Sequence, residues 1–133
     1  VVARRGPAAF RCTAVGRRQM CIGAGRRASV ALCEQFIAEV EARVPALTLA
    51  SPRDASQRGS QVSFHFEHGY AAMQALIARN VIGDFRAPDI MRFGFTPLYL
   101  DAEDVSKAVA IIRDVMENRL WDNEKYKTRA RVT

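Results

Sequence analysis

The sequence predicts a small α+β domain: a roughly four-stranded, mainly antiparallel sheet with helices packed on one face. Three observations carry this. Apolar residues recur at spacings of three and four from Val30 to Val44 and again from Val105 to Met116, the period of a half-buried helix. Val62, Phe64 and Phe66 alternate with Ser63 and His65, the period of a strand with one apolar face. The predicted elements run helix, strand, strand, helix, strand, strand, helix, an order that suits helices gathered on one side of a sheet.

In chain order, Ser29 is placed to cap a helix whose stripe is Val30, Cys33, Phe36, Ile37, Val40 and Val44, and Pro45 ends it. Leu47 to Ala50 form a short strand. Residues 51–60 are polar and rich in turn formers, so they read as a loop. Residues 61–66 form the second strand. His68-Gly69 opens a second helix with Tyr70, Met73, Leu76 and Ile77 on one side, and Asn80 suits its C-terminal cap. Val81-Ile82 begins a brief strand, residues 83–89 turn, and residues 90–95 form another strand. Asp101, Glu103 and Asp104 place carboxylates at the positive end of the last helix dipole. Its buried stripe is Val105, Ala108, Val109, Ile112, Val115 and Met116, closed by Leu120-Trp121.

The net charge of +6 over 133 residues is unevenly distributed. Residues 1–27 hold seven arginines and no acid, while the remaining 106 residues hold 13 basic and 14 acidic side chains, a net of −1. This is a basic arm on a near-neutral body. Nucleic-acid binding by a folded domain calls instead for a basic face, so nucleic acid is not the expected partner. Gly6-Pro7, Gly16, Gly23 and Gly25 predict a poorly ordered arm. The expected organisation is an arm over 1–27, a domain over 28–121 and a charged tail over 122–133. The first residue is valine, so a fragment of a longer frame is expected.

Cys12, Cys21 and Cys33 form neither a disulfide framework nor a CxxC pair, and neither histidine lies near them. No metal site is expected, and a reducing cytoplasm is the default compartment. No apolar run reaches the roughly 20 residues of a membrane helix, so no membrane partner is expected.

Arg92 draws attention because it interrupts the apolar run Ile90-Met91-Arg92-Phe93-Gly94-Phe95, between Pro88 and Pro97. Burying a guanidinium there is costly unless an anion meets it, and its planar fork suits a carboxylate. That carboxylate belongs either to the protein, with Asp84 and Asp89 nearby, or to a ligand, unless the arginine faces outward. Arg86 reads as a structural arginine paired in its turn. His65 and His68 lack the spacing of metal ligands, Gly59-Ser60 lacks a phosphate-loop fingerprint, and Cys33 reads as an inert core thiol. No nucleophile, base and orienting group can be assembled, so no catalytic residue is named. Lys107, Lys125 and Lys127 lie on outer or charged segments, not in an apolar pocket suited to Schiff-base chemistry.

Four ordered motifs then stand together. They are Arg58-Gly59-Ser60-Gln61-Val62-Ser63-Phe64, His68-Gly69-Tyr70, Val81-Ile82-Gly83-Asp84-Phe85-Arg86-Ala87-Pro88 and Arg92-Phe93-Gly94-Phe95-Thr96-Pro97-Leu98-Tyr99. From about residue 28 to 133 the chain resembles the C-terminal part of bacterial kynureninase. The resemblance implies the small domain of a pyridoxal 5'-phosphate (PLP) enzyme of the aspartate-aminotransferase fold type. Such enzymes are cytoplasmic homodimers that hydrolyse L-kynurenine to anthranilate and L-alanine in tryptophan catabolism. It also implies that Arg92 holds the substrate α-carboxylate; Asp84 and Arg86 are expected in structural or supporting places, and residues 1–27, which do not match that family, are expected to be unrelated in origin. The cofactor lysine and phosphate contacts of that family belong to a domain N-terminal to this region. The expectation is therefore a fragment that carries the carboxylate clamp, is inactive alone and does not bind PLP alone. The alternatives are a small basic-armed nucleic-acid- or anion-binding protein without catalysis, and the small domain of another enzyme of the same fold type, such as a cysteine desulfurase relative.

Overall fold

A computed structural model describes residues 17–128, with side chains from residue 25 onward. Helix α1 spans Arg17–Arg43, followed by strand β1 (Thr48–Leu49), a short 3-10 turn (Ala55–Gln57) and strand β2 (Gln61–His65). Helix α2 (Gly69–Ile77), strands β3 (Asp84–Arg86) and β4 (Ile90–Gly94), helix α3 (Ala102–Glu117) and the single-turn α4 (Glu124–Lys127) complete the chain. The sheet order is β1-β2-β4-β3, and every neighbouring pair is antiparallel. The expected α+β class and the four strands are present.

The strand period decides which residues meet the helices. In β2, Val62 and Phe64 are buried, while Gln61, Ser63 and His65 point the other way. In β4, Met91 and Phe93 are buried, while Ile90, Arg92 and Gly94 lie on the opposite face. The register pairs Phe64 with Met91 and Val62 with Phe93, so the apolar residues of both strands share one face. Helices α1 and α2 pack there. Phe36 of α1 sets its ring 5.9 Å from Phe64, 5.2 Å from Phe93 and 4.9 Å from Phe95. Burying such aromatics contributes a large share of the stabilisation of so small a core. Helix α3 closes the other side of α1 and α2 with Val105, Val109, Ile112 and Val115.

Several local expectations are corrected. Helix α1 begins at Arg17 rather than at Ser29, so Gly23 and Gly25 lie inside a helix instead of interrupting it. An interior glycine weakens a helix by about 1 kcal/mol without forbidding it. Ser29 is no cap: it is buried, and its hydroxyl donates to the Phe95 carbonyl at 3.2 Å, tying α1 to the end of β4. Residues 1–16 of the predicted arm, and residues 129–133 of the predicted tail, lie outside the described residues.

The strand expected at Val81-Ile82 lies instead at Asp84–Arg86. Val81 is used to end α2. Asn80 takes φ 65°, the Val81 amide donates to the Leu76 carbonyl and the Asn80 amide to the Ile77 carbonyl. This is a Schellman termination, with buried Val81 against buried Leu76 as its apolar contact. Asn80 is therefore the left-handed residue that the sequence suggested. Arg119 does the same after α3 at φ 50°, with the Leu120 amide donating to Val115. At the other end of α3, Asp101 and Asp104 form a reciprocal capping box.

Gly83 is a tight point between α2 and the sheet. A Cβ there would lie 2.7 Å from the Arg92 carbonyl oxygen and 2.7 Å from the Met73 methyl, whereas a Cβ at Gly59 would meet nothing within 4 Å. Gly83→Ala is therefore expected to lower stability by about 1–3 kcal/mol, and Gly59→Ala to change it by less than about 0.5 kcal/mol. Urea unfolding of the two variants checks this; equal midpoints would contradict it.

Candidate functional site

The face of the sheet away from the helices is polar. Arg92 stands at its centre, directly opposite Ser63 of β2 on one side and Asp84 of β3 on the other. Arg92 Nη2 donates to the Asp84 carboxylate, which also accepts from Arg86 Nε at 3.2 Å. One carboxylate thus sits between two guanidinium groups. The hydrogen bond from Arg92, with the nearby charges of Arg86 and Arg92, holds the Asp84 carboxyl below the usual carboxylate range, and desolvation opposes it. The Arg92 side chain is 30% exposed, and its Nε is buried without a hydrogen-bond partner among the described residues.

Arg92 lines two clefts. One, of about 290 Å³, is bounded by Gln61, Ile82, Gly83, Asp84, Thr96 and Tyr99. The other, of about 470 Å³, is bounded by Ser51, Gln57, Arg58, Gly59, Ser60 and Ser63. Tyr99, which lines the first cleft, is 70% exposed, and its neighbour Leu98 is 79% exposed.

The second cleft is built by Arg58, whose place the sequence did not disclose. Its side chain is only 3% exposed. It donates to the carbonyls of Pro52 at 2.9 Å and Arg53 at 3.1 Å and to the Glu34 carboxylate of α1. The loop 51–60 is thereby pinned to the first helix. The backbone acceptors in its own loop, which satisfy it, have no sequence signature.

Arg86 is exposed and ends strand β3 instead of lying in the expected turn, and it donates to Asp84; Asp84 rather than Asp89 meets Arg92. Asp89 pairs with His65, whose Nδ1 lies 3.3 Å from its carboxylate on the open face. His68 makes no cap hydrogen bond; its ring stacks on Trp121 at 4.5 Å with 16° between planes. Cys33 is fully buried in the core, and burial pushes its thiol up. Lys107 is paired with Glu103 at 2.6 Å, Lys127 with Asp122 at 2.6 Å, and Lys125 lies over the Tyr126 ring at 4.5 Å. None of these lysines lines either Arg92 cleft. Among the described residues no cluster of three or more His, Cys, Asp or Glu could hold a metal ion, and no helix is long and apolar enough to cross a membrane.

A family model described as the kynureninase C-terminal domain matches residues 26–112. Kynureninase of Burkholderia mallei (strain SAVP1) is 53% identical over 110 residues, and kynureninase of Pseudomonas fluorescens is 49% identical over 110 residues. These alignments cover 81% of this chain and 26% of each relative, so the chain spans about a quarter of their length. Among solved structures, the apo cysteine desulfurase from Thermococcus onnurineus NA1 superposes with a TM-score of 0.65. That likeness covers 75% of this chain and 28% of the desulfurase at 13% identity, a similarity of fold alone.

The low Asp84 pKa has a signed consequence for stability. A carboxyl depressed on folding stabilises the fold above its unfolded pKa, and this contribution fades as pH falls through the folded value. The stability gap between the protein and Asp84→Asn should therefore narrow as pH drops from about 5 to about 2. Chemical denaturation along a pH series measures it; a gap independent of pH would contradict the pairing.

Proposed function

The chain belongs to the kynureninase C-terminal domain family, and from that premise we propose that it supplies the substrate-carboxylate clamp of such an enzyme, with Arg92 as the clamp. The observation that carries this is the state of Arg92. A guanidinium sits half-buried in a cleft on the open sheet face, bonded to a single shared carboxylate, with its Nε lacking a partner among the described residues. Buried polar donors are ordinarily satisfied, so the chain leaves Arg92 incompletely paired, and the exposed part of its guanidinium is a candidate for meeting an anion from outside.

On this reading the substrate is L-kynurenine, hydrolysed to anthranilate and L-alanine in tryptophan catabolism. The intact enzyme is a cytoplasmic homodimer that uses PLP. When bound, that cofactor supplies an electron sink for cleaving the substrate's carbon–carbon bond. The described residues do not fit PLP by themselves, because every described lysine is engaged away from the Arg92 clefts. Holding the cofactor is therefore assigned to the part of the longer relatives that this chain does not span. What this chain contributes is orientation: a fixed carboxylate at one end of the amino acid sets the position of the other. The likeness to a cysteine desulfurase supports a fold shared between enzyme families, not that enzyme's reaction.

Two experiments test the reading. In a full-length enzyme carrying this domain, Arg92→Ala should raise the KM for L-kynurenine about 10–100-fold, the loss of charge-assisted hydrogen bonds of about 1.5–3 kcal/mol. An unchanged KM would contradict it. The 133-residue chain mixed with PLP should show no lysine-bound cofactor absorbance and no kynurenine turnover; either signal would contradict the division of labour.

A further inference from the structure

We propose that Asp84 is a positioning residue for Arg92, fixing its guanidinium so that the remaining donors are presented to a ligand carboxylate. The proposal rests on the carboxylate-clamp reading and deepens it. Among the described residues, Asp84 is the only acceptor that bonds the Arg92 guanidinium. An arginine side chain free at all its torsions loses rotamer entropy when a ligand orders it. A partner that orders it beforehand removes part of that cost from binding.

The backbone makes Asp84 suited to this. Asp84 lies directly opposite Arg92 in the β3–β4 register, and Arg86, two residues on, donates to the same carboxylate. At the preceding residue, Gly83, an added Cβ would lie 2.7 Å from the Arg92 carbonyl oxygen, so the chain enters β3 in close contact with β4. The position of the carboxylate relative to Arg92 is thus set by main-chain pairing, not by a flexible loop.

Charge balance separates positioning from mere competition. Arg86, Arg92 and Asp84 together carry one positive charge. A single incoming carboxylate brings the cluster to neutrality, so Asp84 does not cancel the attraction that Arg92 exerts. Without Asp84 the two guanidinium groups would face each other uncompensated, and Arg92 would be expected to turn away from Arg86.

The test uses the full-length enzyme and four variants: Asp84→Ala, Asp84→Asn, Arg92→Ala and the double Asp84→Ala/Arg92→Ala. The probes are L-kynurenine in turnover, and L-alanine and L-alaninamide in calorimetric binding. Asp84→Ala should weaken L-alanine about tenfold, raise the L-kynurenine KM to match, and leave L-alaninamide unchanged. Asp84→Asn keeps an oxygen acceptor for Nη2 and should fall between Asp84→Ala and the unsubstituted enzyme. The double variant should be no worse than Arg92→Ala. Equal or tighter L-alanine binding by Asp84→Ala, equal losses on both alanine probes, or additive losses in the double variant would each overturn the positioning role. If Arg92→Ala alone leaves L-alanine binding unchanged, the clamp reading itself fails; if Arg92→Ala weakens it and Asp84→Ala does not, only the positioning role fails.

Discussion

The pairing of β2 with β4 is the constraint on which the other features depend. Its register places Val62, Phe64, Met91 and Phe93 on one face and Ser63 and Arg92 on the other. A slip by one residue would put Arg92 under the helices and the phenylalanines in water, exchanging a core for a buried cation. The aromatic cluster around Phe36 therefore does two things at once. It stabilises the sheet from below, and it fixes which way Arg92 points above. Ser29 adds to this by bonding the chain just past β4 back to α1.

Two arginines show how the same side chain is used for different ends. Arg58 is buried and donates to two carbonyls and to Glu34. Its donors are engaged within the fold, so it is an arginine of structure: it holds loop 51–60 on α1. Arg92 is partly exposed, shares one carboxylate with Arg86, and keeps a donor without a partner among the described residues. The fold holds it in place without satisfying it. That difference, rather than the presence of a guanidinium, is what makes Arg92 the candidate for recognition and Arg58 not.

Much of this was legible in the sequence because it rests on periodicity. Cys33, Phe36, Ile37, Val40 and Val44 of the first stripe and Val62 and Phe64 of the alternation are buried, while Val30 and Phe66 at their ends are only partly so. Asn80 was legible as a left-handed helix end because few residues tolerate that backbone. The isolation of Arg92 in an apolar run marked it as an arginine either paired with an anion or turned outward; it lies on the open face of the sheet, paired with Asp84. What could not be read were long-range ties. Ser29 looks like a helix cap locally, yet its hydroxyl meets a carbonyl 66 residues away. Arg58 looks like a loop arginine, and its burial comes from how the loop curls over α1. Residues 17–27 look broken by glycine, yet they continue α1, since each glycine costs less than a helix of this length can bear. The β3 boundary moved because ending α2 required Val81.

The central claim is that the donors Arg92 does not share with Asp84 await the carboxylate of an amino acid. The most direct measurement is an experimental structure of the full-length enzyme with L-alanine bound. The account predicts the α-carboxylate within hydrogen-bond distance of the Arg92 guanidinium, with Asp84 still bonded to Nη2. A bound carboxylate held by other residues, with Arg92 paired to Asp84 alone, would contradict it.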